Sequence, residues 1–128
     1  MAKLKIITET GMLHVACRCD WQGRVEWYGF KPVRHRVPVS PGYVDTSDRS
    51  ALLNHHITFE VPDSLLAFSV EKAKKSYKDE TYILAVKDCV SFSADIARGA
   101  GLGVPAVNLT PYGFIQTLAL WNKYLDRS

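Results

Sequence analysis

The stretch MLHVACRCDWQGRVEWYGF constrains the fold of this chain more than any other. MLHVACRC and RVEWYGF, the second rich in β-branched and aromatic residues, flank DWQG, which reads as a turn. Such a pair reads as a β-hairpin. It brings residues before and after the turn together on one sheet. LKIIT before it and HHITFEV after it add two further strand-like segments. The intervening KPVRHRVPVSPGYVDTSDRS carries Pro32, Pro38 and Pro41 and reads as an irregular excursion.

The second half changes period. PDSLLAFSVEKAKKSYKD predicts a helix that Asp63 or Ser64 can cap. Leu65, Phe68 and Ala73 are expected on its inner face, with Leu66 and Val70 beside them. TYILAV predicts a buried strand. DCVSFSADIARGAG predicts a second helix with Asp88 as N-cap, Val90, Ala94, Ile96 and Ala97 inward, and Gly99 and Gly101 as the stop. After Pro105 and Pro111, YGFIQTLALWNKYL predicts a third helix. Strands and helices are segregated rather than alternating, which argues an α+β fold. The 128 residues fit a single domain over 1–128, and no repeat, linker or low-complexity stretch divides them.

Composition narrows the function classes. The net charge is +3, with no block of five or six basic residues, so nucleic-acid binding has little support. No apolar run reaches the length of a membrane span. MAKLKIITETG has a basic flank, but Thr8 and Glu9 interrupt it where a secretory signal needs continuous apolar residues. The expectation is a chain made in the cytosol and not exported by that route. Three cysteines cannot all pair, so at least one thiol is free, and Cys89 is the candidate. CRC, at Cys17 and Cys19, lacks the second pair that a structural zinc site needs. Its two cysteines share a strand face opposite to the one carrying His14 and read as buried small residues. GAGLG follows a helix instead of opening one, which rules against a phosphate loop. No metal or organic cofactor is called for.

Cys89 stands in the first turn of its helix, directly after Asp88. A thiol attacks as its thiolate. The N–H groups of a helix start favour a negative sulfur, and a histidine can take the proton. His14, His35, His55 and His56 all precede Cys89, so only a fold that presents the base from an earlier element can work. His14, inside the apolar run MLHVAC, is the candidate base, because a strand holds an imidazole more rigidly than a loop does. His35 lies in the proline-rich excursion. His55 and His56 are adjacent on a strand and point to opposite faces, so one of them could also face the site. Taken singly, a cysteine in a short helix and a histidine in a strand are more often packing residues.

Together, GMLHVAC, GRVEWYGFKP and YILAVKDCVSFSADIARGAGLGVP resemble the papain-like NlpC/P60 superfamily in its permuted form. There a strand histidine precedes a helix-start cysteine in an Asn-Cys or Asp-Cys context, with a phenylalanine three residues on. Here those residues are His14, Asp88, Cys89 and Phe92. The resemblance covers most of residues 10 to 105. The chain departs from it in the two residues inserted between Gly11 and His14. The resemblance implies a small antiparallel sheet packed against the helix that bears a nucleophilic cysteine, and an amide-cleaving cysteine hydrolase. It further implies likeness to the small type VI secretion effectors. Those are delivered to the periplasm of a target bacterium, cut peptidoglycan peptides, and are restrained by an immunity protein. A third polar residue normally orients the imidazole in such proteins. If DWQG makes the turn, Glu26 and Tyr28 lie on the neighbouring strand, and Glu26 is the candidate. The other readings are a hydrolase acting on a protein tail or an acyl lipid, and a non-catalytic binding module.

Overall fold

The computed structural model describes residues 1–10, 14–34, 37–84, 87–106 and 110–128; Gly11, His35 and the last two residues of TYILAV lie outside them. The described strands are β1 (Ala2–Glu9), β2 (Val15–Asp20), β3 (Val25–Pro32), β4 (Val39–Asp45), β5 (Leu53–Val61), β6 (Thr81–Ile83) and β7 (Asp126–Arg127). They form one seven-stranded sheet in the order β6-β4-β3-β2-β1-β5-β7, paired antiparallel. Three helices follow the main strands: α1 (Asp63–Tyr77), α2 (Cys89–Gly99) and α3 (Pro111–Trp121). The chain is therefore α+β.

The expected hairpin is the heart of the sheet. Cys17 faces Tyr28 and Cys19 faces Glu26 across β2 and β3. Gln22 and Gly23 take positive φ values of 67° and 101°, as a two-residue turn between right-twisted strands requires. The Trp21 N–H closes the turn on the Arg24 carbonyl at 2.8 Å.

Strand alternation then divides the side chains between two faces. Leu4 and Ile6 of β1, Val15, Cys17 and Cys19 of β2, and Tyr28 and Phe30 of β3 join Ile57 and Phe59 of β5 in the main core. Buried residues of all three helices pack against them. On the other face Ile7, Ala16 and Trp27 form a smaller cluster with Leu53 beside it.

The excursion after Lys31 is more regular than its prolines suggest, for β4 runs through Pro41. Pro41 has no N–H to give, but its carbonyl accepts from Val33 at 2.7 Å. Its partner strand β6 is three residues long and ends the sheet, where a missing donor costs little. TYILAV is correspondingly a short edge strand, with Leu84 exposed beyond it.

The buried stripe of α1 differs from expectation. Leu66, Ser69, Val70, Ala73 and Tyr77 face the core. Leu65 and Phe68 are 44% and 70% exposed. The rotation follows Tyr77, whose ring packs edge-on to Phe30 and Phe92 with centroids 5.0 Å from each. Neither Asp63 nor Ser64 caps this helix. Its N-cap is Pro62, and Asp63 pairs with the N-terminal amine at 3.2 Å. At α3 Thr110 caps through the Gly113 N–H at 3.1 Å, and Pro111 opens the first turn.

Phe30 centres the aromatic cluster, stacking on Tyr82 at 5.5 Å and Phe92 at 6.3 Å. Gly42 on β4 leaves room for it. A Cβ there would overlap the Phe30 ring and come within 2.9 Å of the Glu80 carbonyl. Gly42→Ala is expected to lower stability by about 1–3 kcal/mol, the usual cost of overpacking a core. Urea unfolding would check this, and an unchanged midpoint would show that Phe30 can move aside.

Candidate active site

The start of α2 is built by Asp88. Its backbone is extended, and its Oδ1 accepts from the Val90 and Ser91 N–H groups at 3.1 and 3.0 Å. The Ser91 Oγ accepts the Asp88 N–H in return at 2.8 Å, completing a reciprocal cap. Cys89 is thus the first helical residue. Its helix continues through Val90, Phe92, Ile96 and Ala97, which anchor it in the main core.

The thiol is 2% exposed. Burial pushes it up to about 12, the Val15 backbone N–H pulls it down, Asp88 pushes it up, and Tyr82 and the Val90 N–H pull it down. The Tyr82 hydroxyl lies 3.9 Å from Sγ. At neutral pH the sulfur is therefore a thiol, with hydrogen-bond donors already turned towards it.

His14 immediately precedes β2 and is 3% exposed. Its carbonyl accepts the Glu9 N–H at 3.1 Å, which ties it to the end of β1. Its Nε2 is buried without a hydrogen-bond partner and stands 3.6 Å from where a Cβ on Gly29 would be. Burial lowers the imidazole to about 4. Glu9 raises it, Lys31 and Arg49 lower it, and Asp45 raises it. The resting ring is neutral.

The structure brings Cys89 against β2 beside Val15, one residue from His14. It leaves the two side chains on opposite faces of the sheet. Val15 shares the main core with Cys89, whereas His14 alternates to the side of Ala16 and Gly29. No hydrogen bond joins thiol and imidazole.

Glu26 is not brought to His14. It faces Cys19 near the hairpin turn, accepts from Trp21 Nε1 at 2.7 Å and pairs with Arg24 at 3.6 Å. Five strand positions, about 16 Å, separate Cys19 from His14. The residue that positions Trp21 therefore does not orient the imidazole. Tyr28 lies in the main core under the Lys74 ammonium, 5.6 Å from the ring centroid. The His55 ring lies tilted against Tyr112 with centroids 4.5 Å apart, and His56 Nε2 pairs with Asp126 at 3.0 Å, each on its own side of β5.

The groups that surround His14 are charges that no motif in the sequence marks. Arg49 Nε reaches Glu9 Oε1 at 2.6 Å, Lys31 Nζ reaches Asp45 Oδ2 at 2.9 Å, and Lys31 also lies 3.5 Å from Glu9. Glu9 and Lys31 are both buried. Their signal was available: each is a charge inside a run of strand residues, where a solvated side chain has no place. Among the described residues no three His, Cys, Asp or Glu side chains group to hold a metal ion. No family model, curated protein or solved structure matches the chain.

Two pH windows follow from these groups. His14 drops from 6.5 to about 4 on folding, so between those values the unfolded chain binds the extra proton. Stability is expected to fall as pH drops through this window, and His14→Gln should flatten the slope in urea titrations. Burial would raise Asp45, but Lys31 and the Ser47 donors bring it from 3.8 down to about 2. The stability it contributes is present above 3.8 and lost as pH falls towards 2. Lys31→Ala leaves Glu9 and Asp45 short of a partner in a buried site, with an expected loss of about 3–5 kcal/mol in the same assay.

Proposed function

We propose that this chain is a cysteine hydrolase of the permuted NlpC/P60 kind, cleaving amide bonds in peptidoglycan peptides. The observation that carries the reading is the seat of Cys89. A thiol at the first position of a capped helix lies against the backbone N–H of Val15, and the residue before Val15 is a buried histidine with an unpartnered Nε2.

In the reaction the Cys89 sulfur attacks the amide carbonyl, and His14 takes the thiol proton and passes it to the departing amine. Water then releases the acyl group from the sulfur. The resting arrangement is not the reactive one, since thiol and imidazole stand on different faces. The reaction requires the backbone at the entry to β2 to turn over, releasing the Glu9–His14 hydrogen bond, so that the ring reaches the face of α2. The Val15 N–H and Tyr82 O–H, already directed at the sulfur, stabilise the thiolate once it forms. Asp88 occupies the Val90 and Ser91 N–H groups, so the oxyanion is met by other donors than these.

The proposal extends to an antibacterial effector delivered by type VI secretion, with the peptidoglycan stem or crosslink as substrate and an immunity protein as inhibitor. It is tested by incubating the protein with purified sacculi and following released peptides by mass spectrometry. Wild type is expected to release them. Cys89→Ala and His14→Ala should each reduce release by at least about 100-fold while circular dichroism stays unchanged. Undiminished release in either variant removes that residue from the mechanism.

One observation favours a second reading, a binding module that keeps the architecture without the chemistry. The thiol is buried, raised to about 12, and not hydrogen-bonded to the imidazole. Iodoacetamide at neutral pH separates the two. A hydrolase should label at Cys89 well before Cys17 and Cys19, and equal rates at all three favour the module.

A further inference from the structure

β3 changes partner halfway along its length. β2 covers Val25–Tyr28 on one side. β4 covers the other side only from Gly29 to Pro32, starting at the Gly29–Asp45 pair. The departure of β4 has a local cause. Asp45 Oδ1 accepts from the Ser47 N–H at 3.0 Å and from the Ser47 hydroxyl at 2.7 Å. Asp48 Oδ1 then accepts from the Ser50 N–H at 2.8 Å. Two successive aspartate turns thus lift the chain off the sheet. Among the described residues no strand replaces it, and four residues of β3, about 13 Å, keep an open edge.

A groove of about 540 Å³ runs along this edge, lined by Val25, Glu26, Trp27, Tyr28, Thr46, Asp48 and Lys74. At Thr46 and Lys74 it meets a second recess of about 430 Å³ between β4 and the end of α1. Lys75 and Lys78 line that recess. Lys74 is engaged with Glu71 at 3.2 Å. Lys75 and Lys78 have no ion-pair partner among the described residues, and Asp79 is the one uncommitted acid beside them. The combined surface offers unpaired backbone groups at one end and spare positive charge at the other.

We propose that the open edge of β3 takes up an extended peptide by strand addition, in the line that β4 vacates, with a carboxylate of that peptide against Lys75 and Lys78. Backbone pairing to Val25–Tyr28 holds the peptide. Val25, exposed, and Glu26, half-buried, meet its alternate side chains on the two faces. The two lysines select an acidic terminus. This inference is independent of the Cys89 reading, and either can fail alone.

The test is a titration of the isotope-labelled full chain with an acetylated threonine–valine alternating hexapeptide ending in two glutamates, followed by amide NMR. Saturable shifts are expected at Val25–Tyr28, Thr46 and Lys74–Lys78. The same peptide with its backbone nitrogens methylated along the pairing edge should lose binding. The surface double variant Lys75→Glu/Lys78→Glu should weaken it at least about tenfold. Absence of saturable shifts at these positions, or equal binding by the methylated peptide, overturns strand addition. Binding undiminished by the charge reversal overturns the placement of the carboxylate.

Discussion

The antiparallel pairing of β2 with its neighbours is the constraint on which the rest depends. Its register sets Ile6 opposite Cys17 and Cys17 opposite Tyr28, and so assigns every side chain of three strands to one face or the other. The helices cover the face that collects Val15, Cys17, Cys19 and Phe30. Cys89 arrives on that face because α2 is anchored there by Val90, Phe92 and Ile96. His14, next to Val15, is sent to the opposite face by the same alternation. The separation of the two candidate catalytic side chains is thus a consequence of strand geometry and not of a local distortion.

The face without helices solves a different problem. It holds four charges, Glu9, Lys31, Asp45 and Arg49, around a neutral histidine. Buried charges are tolerated only when paired, and here two acids meet two bases from three separate segments. The segment after β4 supplies Arg49 and closes this face with Leu53. The aspartate turns that form that segment also end β4 early. One local device therefore completes a buried ionic cluster and opens the edge of β3.

Much of the architecture was legible in the residues. The hairpin turn at DWQG, the Asp88 cap, the inward face of α2, and the burial of Cys17 and Cys19 opposite His14 all follow from local chemistry: turn preference, side-chain capping and strand alternation. Two elements were not legible, for tertiary reasons. β4 passes through Pro41, whose missing donor matters only if a long partner strand needs it, and the short β6 does not. The inner stripe of α1 lies one position from the one its apolar pattern predicts. Leu65 and Phe68 are as apolar as Leu66 and Val70, and only the contact of Tyr77 with Phe30 and Phe92 decides which pair is covered. The partners of His14 were missed for a related reason. Glu26 is near in the hairpin, whereas Glu9, Lys31 and the Asp45–Arg49 pair converge from three segments that no short motif links.

What the sequence by itself determined is the set of local decisions: where the chain turns, where α2 begins, and which residue, Cys89, occupies its first position. These depend on interactions between residues a few places apart. The tertiary structure alone decided which side of the sheet the helices cover, and therefore whether thiol and imidazole share a face. That choice rests on the sum of apolar surface buried by all three helices, which no single segment carries.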